Sequence, residues 1–125
     1  MGFDVKRVYE APSDDDGLRV LVDRLWPRGL SKADAHVDRW IKEVAPSSDL
    51  RTWFGHDPAR FDEFARRYRE ELRGSAELAE LAALADDGRQ VTLLYGARDE
   101  QHNQAVVLRD VVASYREVEG SGSGA

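Results

Sequence analysis

The chain has 125 residues, 42% of them hydrophobic, with 24 Asp and Glu against 18 Lys and Arg, for a net charge of -6. That length suits one domain around one core, and no apolar run approaches the ~20 residues that a membrane-spanning helix requires. The absence of cysteine excludes disulfides, thiolate nucleophiles and cysteine zinc sites, and the acidic balance disfavours nucleic acid as a partner.

Met1 to Lys6 lacks the apolar block of a secretory signal, so a cytoplasmic protein is expected. Phe3, Val5, Arg7 and Tyr9 alternate with Asp4, Lys6 and Val8, the period of a strand. The polar stretch APSDDDG, Ala11 to Gly17, reads as a turn before a second strand, Arg19 to Leu25. A linker this short makes an antiparallel hairpin the simplest connection.

Ser31 with Asp34 three residues on reads as the cap of a short helix. Val37, Trp40, Ile41 and Val44 have helical spacing, while Asp38 to Val44 also suits a short edge strand; Pro46 ends either. Ser47 or Ser48 then caps a brief helix carrying Leu50, Trp53 and Phe54, closed by Gly55.

Asp57 and Pro58 open a helix whose Phe61, Phe64, Ala65, Tyr68 and Leu72 form one apolar stripe. Its Arg66, Arg67, Arg69 and Arg73 alternate with acids and read as a solvated face. After Gly74, Ser75 caps a second helix with Leu78, Leu81, Ala82 and Ala85 inward. QVTLLY, Gln90 to Tyr95, has little alternation and is the best candidate for a strand covered on both faces. A last helix, about Glu100 to Tyr115, turns Ala105, Leu108, Val111 and Val112 inward. The pattern predicts an α/β fold: one small domain over residues 1–118, a three- or four-stranded, mostly parallel sheet packed by helices. EGSGSGA, Glu119 to Ala125, reads as a flexible Gly/Ser tail.

Two strand ends are rich in polar groups. VLVDRLWPRG, Val20 to Gly29, ends in Asp23, Arg24, Trp26 and Arg28; the last strand runs into Arg98, Asp99, His102 and Asn103. Ligands of open α/β sheets bind outside the carboxyl ends of strands, so these residues converge if the two strands are parallel neighbours. Arg24, Arg28 and Arg98 would then hold a phosphate or carboxylate through forked hydrogen bonds, with Asn103 beside them and Trp26 as a wall. His102 would serve as acid or base, oriented by Asp23 or Asp99. A structural alternative has equal weight: Asp99 as a helix N-cap, Asp23 paired with Arg98 or Arg24, and Trp26 with Pro27 filling a corner. No dedicated metal site is expected, since His56 beside Asp57 and His102 near Asp99 lack HxxxH or HExxH spacing. No cofactor motif, phosphate loop or nucleophile elbow occurs.

The motifs KRVYE (Lys6 to Glu10), DGLRVLVDRLWPRGLSK (Asp16 to Lys32), EVAPSSDLRTWFGHDP (Glu43 to Pro58) and VTLLYGARDEQHNQAVVL (Val91 to Leu108) together resemble the short, YeaO-like branch of the domain of unknown function 488 family. The resemblance spans Lys6 to about Val112 and implies a parallel α/β sheet, which favours a strand over Asp38 to Val44. It implies no activity. The longer branch of that family carries cysteines near the positions of Tyr95 and Asn103, so thiol chemistry does not extend to this chain. Two functional readings follow: a site for a small anion, binding or enzymatic, at the strand ends, or a non-catalytic interaction module using Trp40 and Trp53.

Overall fold

Five consecutive buried residues, Val91 to Tyr95, occupy the middle of the sheet in the computed structural model, which describes residues 2–123, with side chains for all of these except Asp87 and 116–123. The strands are β1 (Phe3–Arg7), β2 (Leu18–Leu21), β3 (Arg39–Trp40) and β4 (Val91–Tyr95), in the order β1-β4-β2-β3. All three pairings are parallel. β4 aligns Val91 with Phe3 on one side and with Leu18 on the other.

The hairpin expected between the first two strands therefore does not form. A strand apolar on both faces needs a ladder on each side, and β4 obtains both by lying between β1 and β2. Residues 8–17 must then return along the sheet to start β2 parallel to β1. They do so over a polar strip. Ser13 caps a 3-10 turn at Asp14–Asp16, and Asp16 accepts from Lys6 Nζ at 3.1 Å and from Arg19 Nη1 at 2.5 Å. Thr92 Oγ1 donates to the Asp16 carbonyl at 2.7 Å. Arg19 also donates to the carbonyls of Ala35 and His36, at 2.9 and 3.0 Å. Burial pushes the Asp16 pKa up, but the Ser13 N–H, Lys6 and Arg19 outweigh it and hold the carboxyl below its ordinary value.

Five helices complete the fold: α1 (Lys32–Ala35), α2 (Ser48–Phe54), α3 (Phe61–Leu72), α4 (Ala76–Ala83) and α5 (Gln104–Ser123). Val20, Val22, Val91, Leu93 and Tyr95 share the main core with Phe64, Tyr68, Leu81, Leu108 and Val112 from the helices. The opposite sheet face carries a smaller cluster, Val8, Leu21, Leu94 and Ala35, roofed by Trp26, Leu30 and Val37. The basic run of α3 faces solvent, with Glu63 pairing Arg66 and Arg67 and Glu70 pairing Arg73. α5 is continuous to Ser123; the last two residues of the segment read as a Gly/Ser tail, 124–125, lie outside the described residues. Among the described residues no helix is long and apolar enough to cross a membrane.

Residues 38–44 form neither a full strand nor a helix. The Asp38 carboxylate accepts from the Arg19 N–H, and the Asp38 N–H donates to the Arg19 carbonyl, both at 2.9 Å. That pins the two residues of β3 to the sheet edge, and a 3-10 turn at Lys42–Val44 follows.

Because Arg19 satisfies Asp16 and two carbonyls at once, Arg19→Met leaves all three short of a donor. We expect a loss of about 3 kcal/mol, seen as a lower urea midpoint with unchanged slope; a loss below about 1 kcal/mol would show that the strip is dispensable.

Candidate functional site

The parallel pairing of β2 and β4 puts their carboxyl ends side by side. Val22 continues the ladder by donating to the Leu94 carbonyl at 3.1 Å. One residue later the side chain takes over from the backbone: Asp23 Oδ2 accepts from the Gly96 N–H at 2.8 Å, and Oδ1 accepts from Gln104 Nε2 at the start of α5. A Cβ on residue 96 would lie 3.1 Å from Asp23 Oδ2, so glycine there permits the close approach. β1 also reaches this corner, with Arg7 Nε donating to the Ala97 carbonyl at 2.9 Å. Burial raises the Asp23 pKa to about 6; the Gly96 and Gln104 hydrogen bonds, then the charges of Arg51 and His56, oppose the rise without cancelling it.

Beside this clamp lies a cavity of about 390 Å³. Its polar lining is Asp23, Arg24, Arg28, Arg51, His56 and Gln104; Phe54, Phe64, Leu25 and Pro46 contribute apolar surface. Arg24 is braced by donating to the carbonyls of Ala45 and Pro46, each at 3.2 Å. In contrast, among the described residues neither Arg28 nor Arg51 engages its guanidinium in a hydrogen bond or ion pair. Arg51 comes from α2, whose cap Ser47 accepts from the Leu50 N–H at 3.2 Å and is itself held to Glu71. Gly55 (φ 55°) closes α2, and His56 (φ 58°) repeats the left-handed turn. That reversal brings the imidazole to the cavity, at the modest backbone cost of a non-glycine residue in this region.

The site expected from the sequence is thus divided. Asp23, Arg24 and Arg28 line the cavity; Trp26, Arg98, Asp99, His102 and Asn103 do not. Asp23 pairs with neither Arg98 nor Arg24 but with Gly96 and Gln104. Asp99 does orient His102, Oδ2 to Nδ1 at 2.9 Å, but the ring stands edge-on to Phe61, 5.2 Å between centroids. The Gln101 and His102 N–H groups and the His102 ring hold the Asp99 carboxyl below its ordinary value. Asp99 closes a turn before the helix, whereas Asn103 is the cap of α5: its Oδ1 accepts from Val106 N–H at 3.1 Å and its Nδ2 donates to the Asp99 carbonyl at 2.8 Å. Asn103 and Tyr95, the positions that the resemblance associates with cysteine in a longer branch, are both buried. Trp26 donates to the Leu30 carbonyl at 2.7 Å on the other sheet face. Trp53 is only partly exposed, with the Arg67 and Arg60 guanidinium groups 4.4 and 5.3 Å from its ring centre.

Arg51 and Gln104 carry no sequence signal of their own, because each depends on a helix docking against a distant strand end. His56 had one: a glycine helix stop directly before it marks a chain reversal. Among the described residues no three His, Asp or Glu side chains are grouped as metal ligands.

A family model described as "Inactive DUF488-N3 subclade" matches residues 2–124. The uncharacterized protein Rv3073c of Mycobacterium tuberculosis is 52% identical over 109 residues, 86% of this chain and 91% of that protein. The uncharacterized protein YeaO of Escherichia coli is 39% identical over 114 residues, 91% of this chain and 99% of that protein. No solved structure matches the chain.

A carboxyl whose folded pKa exceeds its unfolded value stabilises the fold fully below the unfolded value and loses that contribution as pH rises through the folded one. For Asp23 the window is pH 3.8 to about 6. Asp23→Asn keeps the shape, since the amide can accept from Gly96 and donate to a rotated Gln104. The stability of the variant relative to wild type should therefore rise by up to about 3 kcal/mol between pH 4 and 7, measured by urea unfolding; parallel pH profiles would refute the burial of this charge.

Proposed function

The chain belongs to DUF488-N3i, the inactive DUF488-N3 subclade, and from that premise we propose that it is a cytoplasmic binding domain for a small anion, a phosphate or carboxylate, that carries out no reaction on it. The observation that carries this reading is the pair of guanidinium groups, Arg28 and Arg51, that line a cavity at the strand ends with no ion-paired carboxylate among the described residues. Elsewhere Arg19, Arg66 and Arg67 each pair with an acid. Two planar forks in the lining of one cavity suit the oxygens of a phosphate or carboxylate, and His56 adds a further donor. Arg24, braced by backbone carbonyls, fixes the floor of the site.

Binding without turnover accords with the groups around the cavity. His102 and Asp99 form the geometry of an acid–base pair but lie outside it, and the one carboxyl among the described lining residues, Asp23, accepts from Gly96 and Gln104. A second reading, a non-catalytic protein-interaction module, is favoured by Leu25 and Trp40, 61% and 39% exposed, the latter edge-on to Trp26. It needs no anion.

Thermal shift with inorganic phosphate, sulfate and acetate separates the two. At an anion concentration 100-fold above Kd the melting temperature of wild type should rise by roughly 5–10 °C. Arg28→Ala and Arg51→Ala should each weaken the response about ten-fold or more. No shift with any anion at 50 mM, on the order of saturating for a weak site, would leave the interaction module as the better account.

A further inference from the structure

A bare anion leaves much of this cavity unanswered. Asp23 stands in the same wall as the cations, and each of its carboxylate oxygens accepts one hydrogen bond and retains a second acceptor position. An inorganic anion would be repelled by that carboxylate and would touch none of the apolar lining. Leu25, 61% exposed, offers the accessible apolar surface of the cavity, backed by the buried Phe54 and Phe64, whose rings are stacked with centroids 4.2 Å apart. The 390 Å³ volume lies within the range of small organic ligands and well above the needs of a single oxyanion.

We propose that the ligand is a small zwitterion, an α-amino acid with an apolar side chain, whose carboxylate meets Arg28, Arg51 and His56, whose ammonium meets Asp23, and whose side chain lies against Leu25 over the edge of Phe54. This rests on the anion-binding reading above and adds the second charge. The charged groups facing Asp23 support it, and α3 adds the buried Tyr68, whose hydroxyl feels the Asp23 charge and donates to the Val44 carbonyl. α2 and its following turn bring Arg51 and His56, the segment after β2 brings Arg24 and Arg28, the β4 end brings the Gly96 N–H, and α5 brings the neutral Gln104. Among the described residues no cation is hydrogen-bonded to the carboxylate, so a ligand ammonium would be its first close counter-charge there. Binding would then favour ionised Asp23 and tighten as pH rises through the window in which that group titrates, whereas a bare anion would bind more weakly over the same range.

Calorimetric titration of the full chain with L-phenylalanine, 3-phenylpropionate and phenethylamine at pH 5.5 and 7.5 tests this. At pH 7.5 the amino acid should bind about ten-fold or more tighter than either analogue, which each lack one charge. Its affinity should rise from pH 5.5 to 7.5 while that of 3-phenylpropionate falls. In Asp23→Asn the advantage over 3-phenylpropionate should shrink to less than about three-fold. If 3-phenylpropionate binds wild type as tightly as the amino acid does, the zwitterion is overturned and the anion site stands. If neither binds and phosphate raises no melting temperature, both are overturned; the wild-type comparison decides even if the variant fails to fold.

Discussion

The insertion of β4 between β1 and β2 is the constraint on which the rest of the structure depends. A strand buried along its whole length must be hydrogen-bonded on both edges, and here that requirement overrides the short connection between the first two strands. Its consequences reach both ends of the sheet. At one end residues 8–17 must cross a polar strip, which Asp16, Lys6, Arg19 and Thr92 make possible. At the other, the carboxyl ends of β2 and β4 become neighbours, so that Asp23 reaches Gly96 and α5 starts directly above it.

The two carboxylates held in this way are treated differently by the fold. Asp16 touches two full positive charges and a backbone N–H, which outweigh the loss of water and keep it ionised. Asp23 touches only a backbone N–H and a side-chain amide; its cations act across space, and burial dominates. A buried acid with direct counter-charges is a structural fastening, whereas one short of them retains the capacity to respond to a ligand. That difference, rather than charge density, distinguishes the cavity from the polar strip. A protein of net negative charge can still present a cation-lined cavity, since the field there is set locally by Arg24, Arg28 and Arg51.

Much of this was legible in the sequence because it follows from local rules. Helix caps at Ser31, Ser47, Asp57 and Ser75, the apolar stripe of α3 and the uninterrupted apolar run of β4 each depend on neighbours in the chain. The hairpin misjudged the first connection because loop length was weighed without the competing demand of β4 for two partners. At the site, Asp23, Arg24 and Arg28 follow directly from the end of β2. Arg51 and Gln104 do not, since nothing local says which way α2 and α5 present a polar side chain. Asp99 illustrates the reverse limit: its motif suggested a helix cap, yet the cap is Asn103, four residues on, because Asp99 folds its own turn first.

The central claim is that Asp23 is a partly buried carboxyl, raised in pKa by the loss of water around it, in one wall of a cavity lined by arginines. Carbon-detected NMR titration of the Asp23 side-chain carboxyl tests it directly. The account predicts a midpoint near pH 6 in the free protein and an upward displacement when inorganic phosphate is added. A midpoint near the ordinary value of about 4, or one that phosphate leaves unmoved, would contradict it.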